Sequence, residues 1–436
     1  MAILHSRARS ALRWGTSDTM RKLIQGAIAL AIISSTTAAQ TPVNLAVDAR
    51  ANANPSIVAN GSFVAITWSA ATAAAMDVYA ALSRDGGKTF SAPVRVNDVP
   101  GDARVNSELP PRVALIPASA KGAAPSMVVV WTTKGAKGTR IVSARSTDGG
   151  KTFSPAKDVP GSDAEGSRGW ESTAVDSKGR VLVMWLDHRD AGAMHHDSSK
   201  AAAPMPKGDP TEKAALSKLY FASLDGKTST PITKSVCYCC KTSLVASGDD
   251  VYGVWRNVYA GSQRDIAFTF SKDGGKTFAA PVKVSDDGWH IDGCPENGPA
   301  VAVDASHRVH VVWPTPPDGK NGTPLGLFYA FSSNAKAFGA RAQIPTLGAA
   351  AHGQVVIDAS GNPVVAWDEI VNGTRHIALA RVRANGSAAP SFTSIESPDS
   401  APDRGWPVLA TAGKETLVAW VAGAGVGNAI RVTALR

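Results

Sequence analysis

The octapeptide Ser83-Arg84-Asp85-Gly86-Gly87-Lys88-Thr89-Phe90 returns almost unchanged as Ser146-Thr147-Asp148-Gly149-Gly150-Lys151-Thr152-Phe153 and again as Ser271-Lys272-Asp273-Gly274-Gly275-Lys276-Thr277-Phe278. Weaker copies occupy residues 223–228, 332–338 and 383–387. Every residue type in the repeat suits a tight strand-to-strand turn. The Asp accepts hydrogen bonds from its own turn amides, glycine supplies positive φ, and the Phe packs back into a sheet. Turn chemistry therefore accounts for Asp85, Asp148 and Asp273 as structural residues.

Outward from these turns runs a second repeat. A short Val-rich stretch ending in Trp recurs at residues 63–68 (FVAITW), 127–131 (MVVVW), 181–185 (VLVMW), 251–255 (VYGVW), 309–313 (VHVVW), 363–367 (PVVAW) and 417–420 (LVAW). Successive Trp residues are 53 to 70 positions apart. Each stretch follows a turn such as Asp176-Ser177-Lys178-Gly179, and an alternating run precedes that turn, which predicts a β-hairpin. Helical periodicity outside the N-terminal leader is confined to a short segment at residues 211–219. The chain thus reads as an all-β repeat protein, and 44% hydrophobic against 19% charged residues lets it bury a large core.

The octapeptide resembles the Asp-box, or bacterial neuraminidase repeat, of the sialidase superfamily. That resemblance implies a β-propeller of four-stranded antiparallel blades around a central channel, with the Asp-box turns away from the active face. Seven Trp hairpins favour seven blades, with six as the alternative. The last hairpin is followed only by a third strand, at residues 430–436. An early strand at residues 43–47 is expected to complete that blade and close the ring, leaving no open edge.

Residues 20–40 read as a secretory signal: Arg21-Lys22, an apolar run from Leu23 to Ile33, and small residues before Gln40. Cleavage after Ala39 is expected, leaving residues 40–436 as a single propeller domain that is exported, periplasmic or extracellular, without stable membrane insertion. The formal charge of +9 includes a net +4 in the first 26 residues, and the remaining basic side chains are scattered. No basic run interleaves with aromatics, which argues against a nucleic-acid partner. The composition leaves the oligomeric state open.

In a propeller the loops between blades, and those after each second strand, open on one face near the channel. On the predicted crossings lie Arg168, Trp170 and Glu171; Cys237, Tyr238, Cys239 and Cys240; Trp289, His290, Asp292, Cys294, Glu296 and Asn297; His352; and Asp403, Arg404 and Trp406. The loops after the Trp strands carry Asp187 to Asp190, Arg256, Asn257, Arg264, Asp265, Asp368 and Glu369. All four cysteines fall on two consecutive crossings. In an exported protein they could form disulfides, for which Cys237–Cys240 with Cys239–Cys294 is the comfortable pairing. They could instead hold a soft metal, Cu or Zn, as Cys237, Cys239, Cys240 and Cys294 with His290, an assignment strengthened by His188, Met194, His195, His196 and Met205 in the third-blade insertion. A third possibility is a redox-active thiol.

The sialidase resemblance implies exo-glycosidase chemistry: an arginine cluster for a substrate carboxylate, a Tyr nucleophile and carboxylic acids. Candidates are Arg189, Arg256 and Arg264, with Arg404, for the cluster, Tyr238 for the nucleophile, and Asp187 and Glu296 for the acids, with Trp170, Glu171, Trp289 and Asn297 binding substrate. The early Arg-Ile-Pro of sialidases is absent; residues 55–58 read Pro-Ser-Ile-Val. Three functions follow: a metal-binding propeller, a sialidase-like hydrolase, or a carbohydrate- or protein-binding propeller with stapled loops.

Overall fold

The computed structural model describes residues 41–120, 122–191, 210–291, 293–383, 390–395 and 405–435. Seven four-stranded antiparallel sheets form a ring, a seven-bladed β-propeller. Blade 1 comprises Ala51–Asn60, Phe63–Ala71, Met76–Ser83 and Val94–Arg95. Blade 2 begins with Arg112–Ile116, blade 3 with Arg168–Val175, blade 4 with Ser243–Ser247, blade 5 with Ala300–Val303, blade 6 with Ala349–Ile357 and blade 7 with Val408–Ala412. These first strands pack beside one another around the axis, and that of blade 7 meets that of blade 1. The ring closes as expected from sequence. Val43–Leu45 supplies the outer strand of blade 7, with Val43 opposite Val432 and Leu45 opposite Ile430.

All seven repeat tryptophans lie on second strands and are buried. Each sits in the apolar core that its blade shares with the preceding one. Trp131, for example, packs with Val78, Leu82 and Val129 between blades 1 and 2, and Trp68 with Leu417, Ala419 and Ile430 between blades 7 and 1. Truncating such a side chain to alanine typically costs about 3–5 kcal/mol. The indole N–H groups do a second task. Those of Trp68, Trp185, Trp255, Trp313 and Trp367 donate to Asn52, Asp187, Asn257, Asp287 and Glu369, at 2.6 to 3.3 Å. The core residue of a blade thereby fixes an acceptor on a loop or strand end.

The octapeptides connect third strands to fourth strands, at the edge opposite the blade-to-blade crossings. Asp85 Oδ1 accepts from Ser83 Oγ at 2.7 Å and from the Lys88 and Thr89 amides at 3.0 Å, while Oδ2 accepts from Thr89 Oγ1 at 2.6 Å. Asp148 and Asp273 repeat the pattern. These bonds hold the Asp85 carboxyl at about 2, even against desolvation. Gly275 has φ +84°, and a Cβ there would meet Phe221 at 2.3 Å, so the turn needs glycine for both backbone and space. The short helix is Pro210–Ala215.

Candidate functional site

Two groups of side chains come together on the crossing face. The first is the thiol loop before blade 4. Cys237, Cys239 and Cys240 are buried, with Cys237 Sγ 3.8 Å from Cys239 Sγ and 3.6 Å from Cys240 Sγ. Cys294 is exposed on the crossing into blade 5, near enough to Cys239 to influence its thiol, and lies outside the compact group of the other three. No two of them are bonded covalently. Hydrogen bonds from Cys239 and Cys240 hold the Cys237 thiol well below its ordinary range, aided by Arg264 and Arg256. Arg264 Nη1 donates to Cys237 Sγ at 3.1 Å. Burial pushes the Cys239 and Cys240 thiols up. The three buried thiols form a compact group of potential metal ligands, all within 4.8 Å.

His290 stands apart from that group. It is exposed, with Nδ1 2.8 Å from the Gly261 carbonyl and Nε2 3.4 Å from Gln263. His188 is buried against Ser217 and the edge of Trp170. Met194, His195, His196, Met205, Asp292, Asp403 and Arg404 lie outside the described residues.

Several residues expected to bind substrate are instead saturated by protein partners. Asp187 accepts from Arg168 Nε, Trp185 Nε1 and Arg189 Nη2 through Oδ2, and from the Arg189 amide and Nε through Oδ1. These partners overcome desolvation and hold it at about 2. Arg256 is buried with its guanidinium on the carbonyls of Asn297, Arg264 and Pro314, stacked over Trp289. Trp289 and Trp170 are themselves buried, and the Trp170 carbonyl accepts from Thr242. Tyr238 is buried beneath Arg264, and desolvation raises its hydroxyl, the opposite of what a nucleophilic phenolate needs.

The second group surrounds the axis, and only Glu171 and the Glu296–Asn297 crossing belong to the substrate set read from sequence. Its pocket is lined by Asn54, Arg112, Lys241, His352, Gln354 and Trp406, from five blades and the crossings before them. Glu108 Oε2 accepts the Lys241 amide at 2.8 Å, and burial with Glu296 nearby raises its carboxyl to about 7 despite Lys241. Glu171 Oε2 accepts from Thr132 at 3.0 Å, and burial likewise raises it to about 7. The remaining oxygen of each is buried without a hydrogen-bond partner. Burial lowers Lys241 to about 8. His352 Nδ1 lies 2.6 Å from Asp368 Oδ1, its ring stacks on Trp406 at 3.3 Å, and Asn297 Oδ1 accepts its amide at 3.1 Å. Asn54, His352, Trp406, Glu296 and Trp170 all have positive φ, between 41° and 56°, at the starts of first strands or on the crossings into them. Left-handed backbone at bulky residues is strained, and it clusters here around the channel mouth.

Glu108 and Lys241 escaped the sequence reading as functional candidates because each is a single residue outside any motif, brought to its neighbours only by ring closure, and Arg112 because Arg112-Val113 does not match the Arg-Ile-Pro of sialidases. Lys241 carried one signal, its position directly after Cys240.

No protein-family model and no curated protein matches the chain. Solved structures share its fold. A polysaccharide (ulvan) lyase bound to -[GlcA(1-4)Rha3S]- is similar with a TM-score of 0.52 and 11% identity, over 91% of this chain and 96% of the lyase. An α-L-arabinofuranosidase of Fusarium graminearum in complex with arabinobiose gives 0.49 and 14%, over 91% and 98%. A Hadza microbial sialidase gives 0.43 and 14%, over 83% and 74%. The class defined by fold is a seven-bladed β-propeller of divergent sequence. This chain carries a C-x-C-C-K loop, Cys237 to Lys241, on the crossing into blade 4.

Proposed function

We propose that the chain is an exported propeller that binds a soft metal ion, Cu(I) or Zn(II), through Cys237, Cys239 and Cys240, with Cys294 as the fourth ligand. The observation that carries this reading is the sulfur spacing of 3.6 and 3.8 Å. A tetrahedral thiolate site with bonds of about 2.3 Å has sulfur–sulfur edges of about 3.8 Å. Burial of Cys237, Cys239 and Cys240 keeps competing water from three of the four ligands, and Arg264 offsets the negative charge that thiolates acquire when a metal displaces their protons. Soft sulfur donors select Cu(I) and Zn(II) over hard cations.

The hydrolase alternative draws less support. It needs guanidiniums open to a substrate carboxylate, whereas Arg256 is saturated by carbonyls and Arg189 by Asp187 and the Gly161 carbonyl.

The test is metal content against thiol count on the full chain, prepared without oxygen. One equivalent of Cu(I) should bind and shield the thiols from a thiol reagent until a chelator removes it. Cys237→Ser and Cys240→Ser should each lose stoichiometric binding. Protein with no free thiols and no metal, or four reactive thiols after Cu(I) addition, would overturn the reading.

A further inference from the structure

Beyond the thiol loop, the axial pocket has features that metal binding does not use. Arg112 donates through Nε to the Glu171 carbonyl at 2.7 Å, but its Nη2 is buried with no partner. Lys241 is buried, and its ammonium has only a long contact of 3.4 Å, to the Gly353 carbonyl. Two cations thus face one small pocket without a carboxylate in contact with either among the described residues. Burying such charges is expensive unless something pairs with them. Glu108 and Glu171 lie close enough to interact through space, but their raised carboxyls are only partly ionised at neutral pH.

The third polar group is His352. Asp368 accepts at Nδ1, which assigns the proton to that nitrogen, and Nε2 is left as an acceptor with no hydrogen bond to the protein. Burial, Lys241 and Arg375 keep the ring neutral. Trp406 backs the imidazole and offers a flat apolar wall.

We infer that the axial pocket is a binding site for a small oxyanion bearing a hydroxyl, the oxyanion held by Arg112 and Lys241 and the hydroxyl donating to His352 Nε2. Carboxylates and hydrogen phosphate share this chemistry. The planar fork of Arg112 suits either, since a guanidinium pairs with both geometries. The strained φ of Asn54, His352 and Trp406 supports a preformed rather than a collapsed pocket. The inference stands independently of the metal reading, because none of its ligand contacts is a thiol.

Titration calorimetry on the metal-free full chain tests it, with glycolate, inorganic phosphate and neutral ethylene glycol as probes at constant ionic strength. Glycolate or phosphate should bind saturably, with a Kd on the order of 1 mM, and ethylene glycol should not. Whichever binds tighter identifies the headgroup. Lys241→Met and Arg112→Gln should each weaken binding about tenfold or more, whereas Lys88→Gln on the opposite edge should leave it unchanged. Near-ultraviolet circular dichroism checks that the variants fold. His352→Gln should weaken glycolate binding more than acetate binding, a split that mere loss of structure would not produce. Absence of saturable binding, or binding that persists unchanged in Lys241→Met and Arg112→Gln, would overturn the proposal.

Discussion

The crossing face holds two kinds of buried charge. Around Asp187, every carboxylate lone pair and most neighbouring guanidinium N–H groups are satisfied within the protein, and Arg256 is likewise saturated. Around the axis, Glu108, Glu171 and Arg112 each keep a buried polar atom without a partner. The contrast separates architecture from function. A saturated ion pair fixes loops, whereas unsatisfied charge raises the energy of the free protein and is retained where a ligand can complete it. Arg189 and Arg256, which look like substrate clamps in the sequence, belong to the first kind, whereas Arg264 beside Cys237 keeps Nε and Nη2 without a partner, and residues without any motif belong to the second.

The sharpest way to break this comparison is to remove a member of the saturated group. Asp187→Ala leaves the fully buried Arg168 without its carboxylate and should cost about 3–5 kcal/mol in denaturant unfolding. A loss below about 1 kcal/mol would mean the network is not structural.

At the axis the opposite sign is expected. Glu108 and Glu171 have folded values near 7 against an ordinary 4.5, so between these values the native state binds more protons than the unfolded chain. Stability therefore falls as pH rises from 4.5 to 7 and stays lower above it, by an amount of order 3 kcal/mol for each fully buried group. Glu171→Gln should accordingly stabilise the protein at pH 8, by about 2–3 kcal/mol, and have little effect at pH 4. Melting curves across pH check this, and a destabilised Glu171→Gln at pH 8 would contradict it.

A smaller effect joins the two proposed sites. Lys241 follows Cys240 and interacts electrostatically with it. Converting the thiols to metal-bound thiolates places negative charge beside Lys241, so Cu(I) loading should weaken glycolate binding about fivefold, with the reciprocal effect on metal affinity. Calorimetry with and without Cu(I) measures it. The smallest effect belongs to the octapeptide edge: Asp85→Asn should lower the melting temperature by a few degrees and alter neither metal nor glycolate binding.

Much of the architecture was legible because a repeat states itself many times. Seven Trp strands counted the blades, and the need to complete the last one located the strand at residues 43–45. The grouping of Cys237, Cys239 and Cys240 was legible from their closeness in sequence, whereas Cys294 lies outside that compact group. The acceptors for Trp185, Trp255 and Trp367 lie two residues after each Trp, a pattern present in the sequence but meaningless until the indole direction is known. The axial cluster was hidden for another reason. Glu108 and Lys241 are joined across 133 positions, and neither residue type signals burial.

One short strand of the ring carries a long-range burden. Val43–Leu45 is three residues long, yet it pairs with a strand nearly the whole domain away, and Asn52 and Asn428 lock the same junction with three reciprocal hydrogen bonds of 2.6 to 2.9 Å. A chain made N-terminus first must therefore hold residues 43–45 unpaired until residues 430–432 arrive. Six blades can assemble from local hairpins, but the seventh waits on a loop closure spanning the domain, which places the slow step of assembly, and the first point of release under force, at this clasp.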